Sequence, residues 1–140
     1  MLKSGFTLIE LLIVLAVISA LLGIVTPNAI GAVARAKATQ VALNLRNLKS
    51  AVEQCIIVEG NVDSCDSIAE LVNKGHISSS PGDDYKIGEV NKDDVISVWI
   101  GYKGEVDGDK IFQIYNAVTT DCAQHFNNDD SYKACVEARM

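Results

Sequence analysis

One long apolar segment near the N-terminus constrains the fold of this chain more than any other feature. Residues 11–25 read LLIVLAVISALLGIV, with Ser19 as the only polar residue, and the stretch from Phe6 to Val25 contains a single charge, on Glu10. As an α-helix it would extend about 30 Å, which matches the hydrocarbon core of a bilayer. No comparable segment follows, so the sequence predicts one membrane-length helix and then a polar region.

The composition fits one modest domain that folds. The chain has 140 residues, of which 49% are hydrophobic and 21% are charged, and this balance excludes a disordered chain. Lys and Arg number 12 against 18 Asp and Glu, which gives a formal charge of −6. That charge argues against nucleic-acid binding by bulk electrostatics, and the confinement of apolar residues to one end argues against a multi-pass membrane protein.

Glu10 decides between three interpretations of the apolar segment. A charged carboxylate inside a bilayer is costly unless it is paired or neutralised. A cleaved secretory signal would have a shorter apolar core, and a plain signal anchor would gain nothing from the carboxylate. A helix that leaves the lipid and packs against copies of itself could use Glu10, because a neighbour can supply the counter-charge. A free α-amino group would serve, and it exists at this depth only if the chain is cut before Phe6.

The residues around this cut resemble the N-terminus of the type IV pilin and pseudopilin family. Residues 3–10 read KSGFTLIE, and the apolar segment and Pro27 follow. In that family a membrane peptidase cuts after a Gly and methylates the new N-terminal residue, usually Phe, and the fifth mature residue is Glu. The resemblance covers residues 3–31. It implies processing between Gly5 and Phe6, a leader at residues 1–5, a transmembrane and polymerisation helix at 6–27, and a globular head at 28–140.

The same resemblance implies the function and the partners. The chain would be a structural subunit of a type IV pilus-like filament, with no catalytic residues and no cofactor. Its partners would be further copies of itself, the prepilin peptidase and the inner-membrane assembly machinery. It would reside in the inner membrane as a precursor and then in an extracellular filament, and no nucleic acid would bind the lone subunit. A secretion pseudopilin, or a minor pilin for adhesion or DNA uptake, is the alternative.

Four residues, Phe6, Glu10, Gly23 and Pro27, are assigned roles in assembly by this resemblance and by helix chemistry. Glu10 would pair with the Phe6 amine of a neighbouring subunit; the alternative is a protonated carboxyl that the helix merely tolerates. Pro27 removes an N–H and clashes with the carbonyl of Gly23, so a kink or local melting is expected between about Ser19 and Pro27. The family implies unwinding there in assembled filaments, whereas many membrane helices show only a mild kink.

The polar region predicts an α+β fold. The long helix, with a membrane-spanning half and an amphipathic half, would reach about Val58 and pack on a small antiparallel sheet of about three strands. A stripe at helical spacing marks its buried face: Val41, Leu45, Leu48, Val52 and Cys55. Ser67 and Glu70 predict a capping box for a short helix at residues 68–74, ended by Gly75. The alternation of apolar residues predicts strands at 85–90, 95–102 and 111–118.

The four cysteines predict disulfides in an exported head. Three pairings are possible, and we expect the local one, which joins Cys55 to Cys65 and Cys122 to Cys135. The second of these pairs resembles the C-terminal disulfide loop of many pilins. A zinc site is the alternative for these residues, but the C-x₂-C spacing is missing. No metal site is predicted.

Charge is divided unevenly along the polar region. Residues 28–59 carry four basic and two acidic residues, whereas residues 60–140 carry seven basic and fifteen acidic ones. Either one subunit's helix complements another's head, or the acidic surface simply keeps the protein soluble. Glu105, Asp107 and Asp109 could hold Ca²⁺, but Asp-Gly is common in hairpin turns and we expect a turn.

Overall fold

The computed structural model describes residues 5–92, 95–126 and 128–138, with the backbone alone at residues 89–92, 95 and 96. Most of the predicted leader, residues 1–4, lies outside this range. The chain divides into two compact units, with the boundary between Arg35 and Ala36. The predicted division at residues 5 and 27 remains a prediction.

Helix α1, Leu8–Glu59, is the longest element and contains 52 residues. It begins two residues after the predicted start at Phe6 and ends one residue after Val58. The helix continues through Pro27 without interruption, so the local melting expected near that residue does not occur in the subunit. One proline removes a single backbone hydrogen bond, and the turns on either side keep theirs.

The second half of α1 supplies one wall of the core in the second unit. The predicted stripe is confirmed, because each of its members is at most 3% exposed: Val41, Leu45, Leu48, Val52 and Cys55. They form one cluster with residues of the sheet that include Val98, Ile100 and Val136. At the edge of this cluster, the Asn44 side-chain amide donates to the Tyr85 hydroxyl at 3.0 Å. Burial raises the pKa of Tyr85.

Three antiparallel strands form the sheet in the order β1-β2-β3. They are β1 (Tyr85–Lys92), β2 (Val95–Tyr102) and β3 (Ala134–Ala138). Ile100 in the central strand pairs with Ile87 on one side and with Val136 on the other. The α+β prediction is confirmed, and the bounds of β2 match the prediction. β1 extends two residues beyond its predicted end, and residues 93 and 94, between β1 and β2, lie outside the described range.

The third predicted strand, residues 111–118, is wrong. Residues Gly108–Ile114 form the short helix α3, and the third strand of the sheet is the later segment Ala134–Ala138. The Asp107 side chain accepts the backbone N–H of Lys110 at 3.4 Å and so caps α3. The hairpin turn expected at Asp107-Gly108 is therefore wrong as well, because these residues begin a helix.

The second helix, α2 (Ile68–Asn73), ends one residue before the predicted end, and Gly75 follows with a φ of 78°. The predicted capping box does not form. The Ser67 side chain makes no capping hydrogen bond, and the Glu70 Oε2 atom is buried with no hydrogen-bond partner among the described residues. The short helix is instead held by Leu71, which is fully buried in the core.

Candidate functional site

The start of α1 carries the residues expected at the processing and assembly site. Gly5, Phe6 and Thr7 precede the helix, and Phe6 is 88% exposed. Thr7 donates to Glu10 Oε2 twice, from its backbone N–H at 2.8 Å and from its hydroxyl at 2.6 Å. In return the Glu10 backbone N–H donates to the Thr7 hydroxyl oxygen at 3.4 Å. Thr7 and Glu10 therefore form a reciprocal capping box at the start of the helix.

Sequence reasoning missed this second role of Glu10. The signal was present, because Thr7 stands three residues before Glu10 and directly before the apolar segment, which is the spacing of a capping box. Both bonds from Thr7 use the same carboxylate oxygen, Oε2. The carboxylate is thus held at the helix start by its own chain, where the positive end of the helix dipole also favours a negative charge.

Large apolar side chains surround the first half of α1 on every side. They are 46–88% exposed within the subunit, and none is buried: Phe6, Leu8, Ile9, Leu11, Leu12, Ile13, Val14, Leu15, Val17, Ile18, Leu21, Leu22, Ile24, Val25, Ile30 and Val33. By length and composition this helix can cross a membrane. A Leu, Ile or Val side chain gains about 1.5–3 kcal/mol when it leaves water completely. This surface therefore requires lipid or other apolar helices around it.

Two hydroxyls, one within the apolar segment and one directly after it, are satisfied by the helix itself. Ser19 donates to the Leu15 carbonyl at 2.8 Å, and Thr26 donates to the Leu22 carbonyl at 2.7 Å. Each bond returns to the carbonyl four residues earlier, as hydroxyls in membrane helices commonly do. Neither residue then carries an unsatisfied polar group into an apolar environment.

The structure separates the predicted assembly residues into two groups along α1. Phe6 and Glu10 lie at its start, whereas Gly23 and Pro27 are one turn apart and about 20 Å further along the axis. A side chain at Gly23 would meet no atom within 4 Å in the subunit. Nothing in the subunit itself therefore requires glycine at this position for space.

Two disulfides cross-link the head, and both join cysteines that are close in sequence. Cys55 bonds to Cys65, with Cα atoms 6.0 Å apart, and links the end of α1 to the turn at Asp63–Cys65. Cys122 bonds to Cys135, with Cα atoms 5.8 Å apart, and links a loop to strand β3. Backbone hydrogen bonds between Thr119 and Cys135 extend this second connection. We refer to residues 119–135 as the C-terminal loop; Asn127 lies outside the described residues.

Aromatic side chains of the C-terminal loop pack on glycines of the sheet. Phe126 and Tyr132 stack with ring centres 4.1 Å apart. A Cβ atom added at Gly101 would lie 2.5 Å from Tyr132 Cδ1 and 2.7 Å from Phe126 Cζ, and one added at Gly88 would lie 2.9 Å from Phe126 Cε1. Glycine is thus required at Gly101 by this close approach. Trp99 continues the contact, with its ring 3.5 Å from that of His125 and nearly parallel to it.

An ion pair holds the same loop to the end of β2. Lys103 Nζ lies 2.7 Å from Asp129 Oδ2 and 4.6 Å from the centre of the Tyr132 ring. The hydrogen bond from Lys103 holds the pKa of Asp129 well below its usual range, and the same bond raises the pKa of Lys103. Both groups remain accessible to water, so solvent screening keeps the contribution of the pair modest.

Of the acidic residues near α3, Asp107 is already used by the fold. Asp107 caps α3 and pairs with Lys110 Nζ at 2.9 Å, and these contacts lower the pKa of Asp107. Among the described residues, no group of three or more His, Cys, Asp and Glu side chains is arranged to hold a metal ion.

Two comparisons with known proteins found a match. Residues 1–26 match the prokaryotic N-terminal methylation motif. A stretch of 64 residues is 36% identical to the type IV major fimbrial protein FimA of Dichelobacter nodosus. That match covers 46% of this chain and 40% of the relative, so the chain spans less than half of that protein. No solved structure matches this chain.

Proposed function

We propose that this chain, a type IV pilin-like structural subunit, is cut between Gly5 and Phe6 and polymerises through α1 into a surface filament. The resemblance to type IV pilins found at residues 3–31 is confirmed by the methylation motif and by the fimbrial relative. Members of this family are structural subunits and not enzymes.

A single observation carries the proposal: the apolar first half of α1 is exposed throughout and begins with a hydrogen-bonded carboxylate. Lipid and neighbouring helices are equally apolar, so leaving the bilayer for a filament changes little hydrophobic energy. Helices in such surroundings associate through close packing and through polar pairs that lipid cannot supply. Glu10 is the single charged residue between Phe6 and Val25, and a plain membrane anchor has no use for it.

Cleavage before Phe6 would create the partner that Glu10 needs. The new ammonium group would lie four residues before Glu10, at the same end of the helix. In a filament, the Glu10 carboxylate of one subunit would accept the Phe6 ammonium of its neighbour. The pair would fix the register between subunits, because two charges in an apolar core are tolerated only when they meet. Thr7 supports this arrangement, since it holds the carboxylate at the helix start.

The proposed partners and location follow from the same scheme. The precursor is anchored in the inner membrane by α1, where the prepilin peptidase would remove residues 1–5 and the assembly machinery would extract the subunit. The head would be exported, and the two disulfides suit such an oxidising location. The fimbrial relative favours a pilus over a secretion pseudopilin.

Mass spectrometry of the intact native protein, combined with electron microscopy of sheared cell-surface material, tests the proposal. We expect a chain that begins at Phe6, with one added methyl group and with two disulfides, and we expect this chain in long filaments. Retention of residues 1–5 in the mature protein would contradict the processing step. A subunit found only as a membrane-bound monomer would contradict the filament.

A further inference from the structure

Exposed large apolar side chains in the second unit are confined to two elements. Among its described residues they are Leu43, Ile57 and Val58 on α1 and Phe112 and Ile114 on α3. Phe112 is 54% exposed and Leu43 is 47% exposed, although other large apolar residues of the same helices are fully buried. Aromatic side chains such as Phe are enriched at contact surfaces between proteins.

An exposed charge lies one turn from each of these two side chains. Asp109 precedes Phe112 by three residues, and both line one shallow depression beside Val118 and Thr119. Arg46 follows Leu43 by three residues and is also exposed. Residues three apart on a helix share a face, so each helix presents one apolar and one charged side chain together. The two pairs carry opposite charges.

We propose that α3 of one copy docks on the exposed face of α1 of the next copy, with Phe112 against Leu43 and Asp109 against Arg46. This inference rests on the proposed filament and adds a contact between heads to the packing of the apolar helices. The four side chains are available, because neither Asp109 nor Arg46 takes part in an ion pair among the described residues. Lys110, in contrast, is engaged with Asp107.

The contact joins two different surfaces of the same chain. Such a head-to-tail contact does not close on itself in a pair, and its repetition generates a ring or an open helical polymer. The open polymer is the form that the proposed filament requires. The charge distribution agrees with it. Residues 36–52 of α1 contain the basic side chains Lys37, Arg46 and Lys49 and no acidic one, whereas Glu105, Asp107 and Asp109 cluster around the start of α3.

Charge reversal in the full-length chain, expressed in cells that assemble filaments, tests the contact. The variants are Asp109→Lys, Arg46→Glu and the two together, and Asp83→Lys serves as the matched control because Asp83 is an exposed acid outside α3. We expect each single reversal to lower the yield of sheared filaments about two- to fivefold, the range of an exposed ion pair. The double reversal should restore the yield, and the control should equal wild type.

A second comparison tests the apolar half of the contact. Phe112→Ser should lower filament yield, whereas Gln113→Ser, at the adjacent exposed position, should not. Intact mass and thermal unfolding of each variant establish that processing and folding are unchanged. The inference is overturned if the filament yields of the single reversals equal that of Asp83→Lys. It is also overturned if the filament yield of the double reversal falls below the yields of both single reversals, because α3 would then contact a different partner. A wild-type chain that makes no filament would overturn the proposed function instead.

Discussion

Thr7 and Glu10 cap each other at the start of the apolar helix, with the Thr7 hydroxyl 2.6 Å and its backbone N–H 2.8 Å from Glu10 Oε2. The carboxylate therefore has partners before any second subunit arrives. This helps to explain how an acidic residue can precede a membrane-length segment, because part of its hydrogen-bonding capacity is satisfied within the chain. Capping is one role of this group, and the proposed pairing between subunits would be a second, separate one.

Replacing Glu10 separates these two roles. In Glu10→Gln the amide oxygen can still accept both Thr7 donors, but the charge is gone; in Glu10→Ala both roles are lost. We expect both variants to insert in the membrane and to assemble poorly, because the Phe6 ammonium of the neighbour lacks its counter-charge. Filament yield in sheared fractions, compared with subunit content of the membrane fraction, measures the effect. Normal filament yield from Glu10→Gln would show that capping, and not charge, is what assembly needs.

Gly101→Ala tests the packing of the C-terminal loop on the sheet. The new methyl group would overlap the rings of Phe126 and Tyr132, which are fixed by their own stacking. We expect the free energy of unfolding to fall by about 1–3 kcal/mol, as is usual for overpacking of a dense site. Gly88→Ala meets only the Phe126 ring, at 2.9 Å, and should cost less. Thermal unfolding of the full chain in detergent measures both, and equal stability of Gly101→Ala and wild type would refute the close approach.

Asp129→Asn should remove the ion pair with Lys103 without changing the size of the side chain. The pKa of Asp129 is lowered in the folded state, so the pair stabilises the protein above the ordinary aspartate pKa of about 3.9. The stabilisation is then lost as the pH falls towards the lower, folded-state pKa. We therefore expect wild type to be more stable than Asp129→Asn at pH 7, with a difference that shrinks below about pH 4.

Unfolding curves at pH 7 and pH 3 measure this difference. Asp130→Asn is the control, since Asp130 is a neighbouring exposed acid that forms no ion pair among the described residues. A difference between wild type and Asp129→Asn that does not depend on pH would show that the Lys103 contact is not formed in solution.

The two disulfides should contribute similar amounts to stability. They close loops of similar length, with sequence separations of 10 and 13 residues. Because each restricts the unfolded chain, each should add about 2–4 kcal/mol to the free energy of unfolding.

Removal of the Cys122–Cys135 disulfide in the variant with both cysteines replaced by Ser should leave the C-terminal loop docked, because the aromatic contacts and the Lys103 pair remain. Trp99 fluorescence and limited proteolysis report the docking. Rapid cleavage of residues 119–135 in folded protein would show that the disulfide alone holds the loop.

The misassigned strand shows where sequence patterns stop being informative. Residues 111–118 alternate in a way that suits a strand, yet Asp107 caps a helix at Gly108–Ile114 that buries only Ile111. A short segment such as this one can satisfy either period, and the choice depends on what occupies the sheet edge. Here that edge is taken by β3, which the disulfide at Cys135 and the pairing with β2 hold in place.

Local sequence patterns were enough to predict the elements whose structure depends on residues close in sequence. The apolar run and the buried stripe at Val41, Leu45, Leu48, Val52 and Cys55 gave α1, and the alternation at Val95–Tyr102 gave the central strand. The motif around Gly5, Phe6 and Glu10 pointed to the family because it, too, is a local pattern.

Tertiary structure alone decided which segment completes the sheet and what covers its outer face. The choice of Ala134–Ala138 as β3 and the packing of Phe126 and Tyr132 on Gly88 and Gly101 join residues more than twenty positions apart. Such contacts depend on the shapes of the packed side chains and on which part of the sheet surface is still uncovered. The spacing of residues along the chain contains neither piece of information.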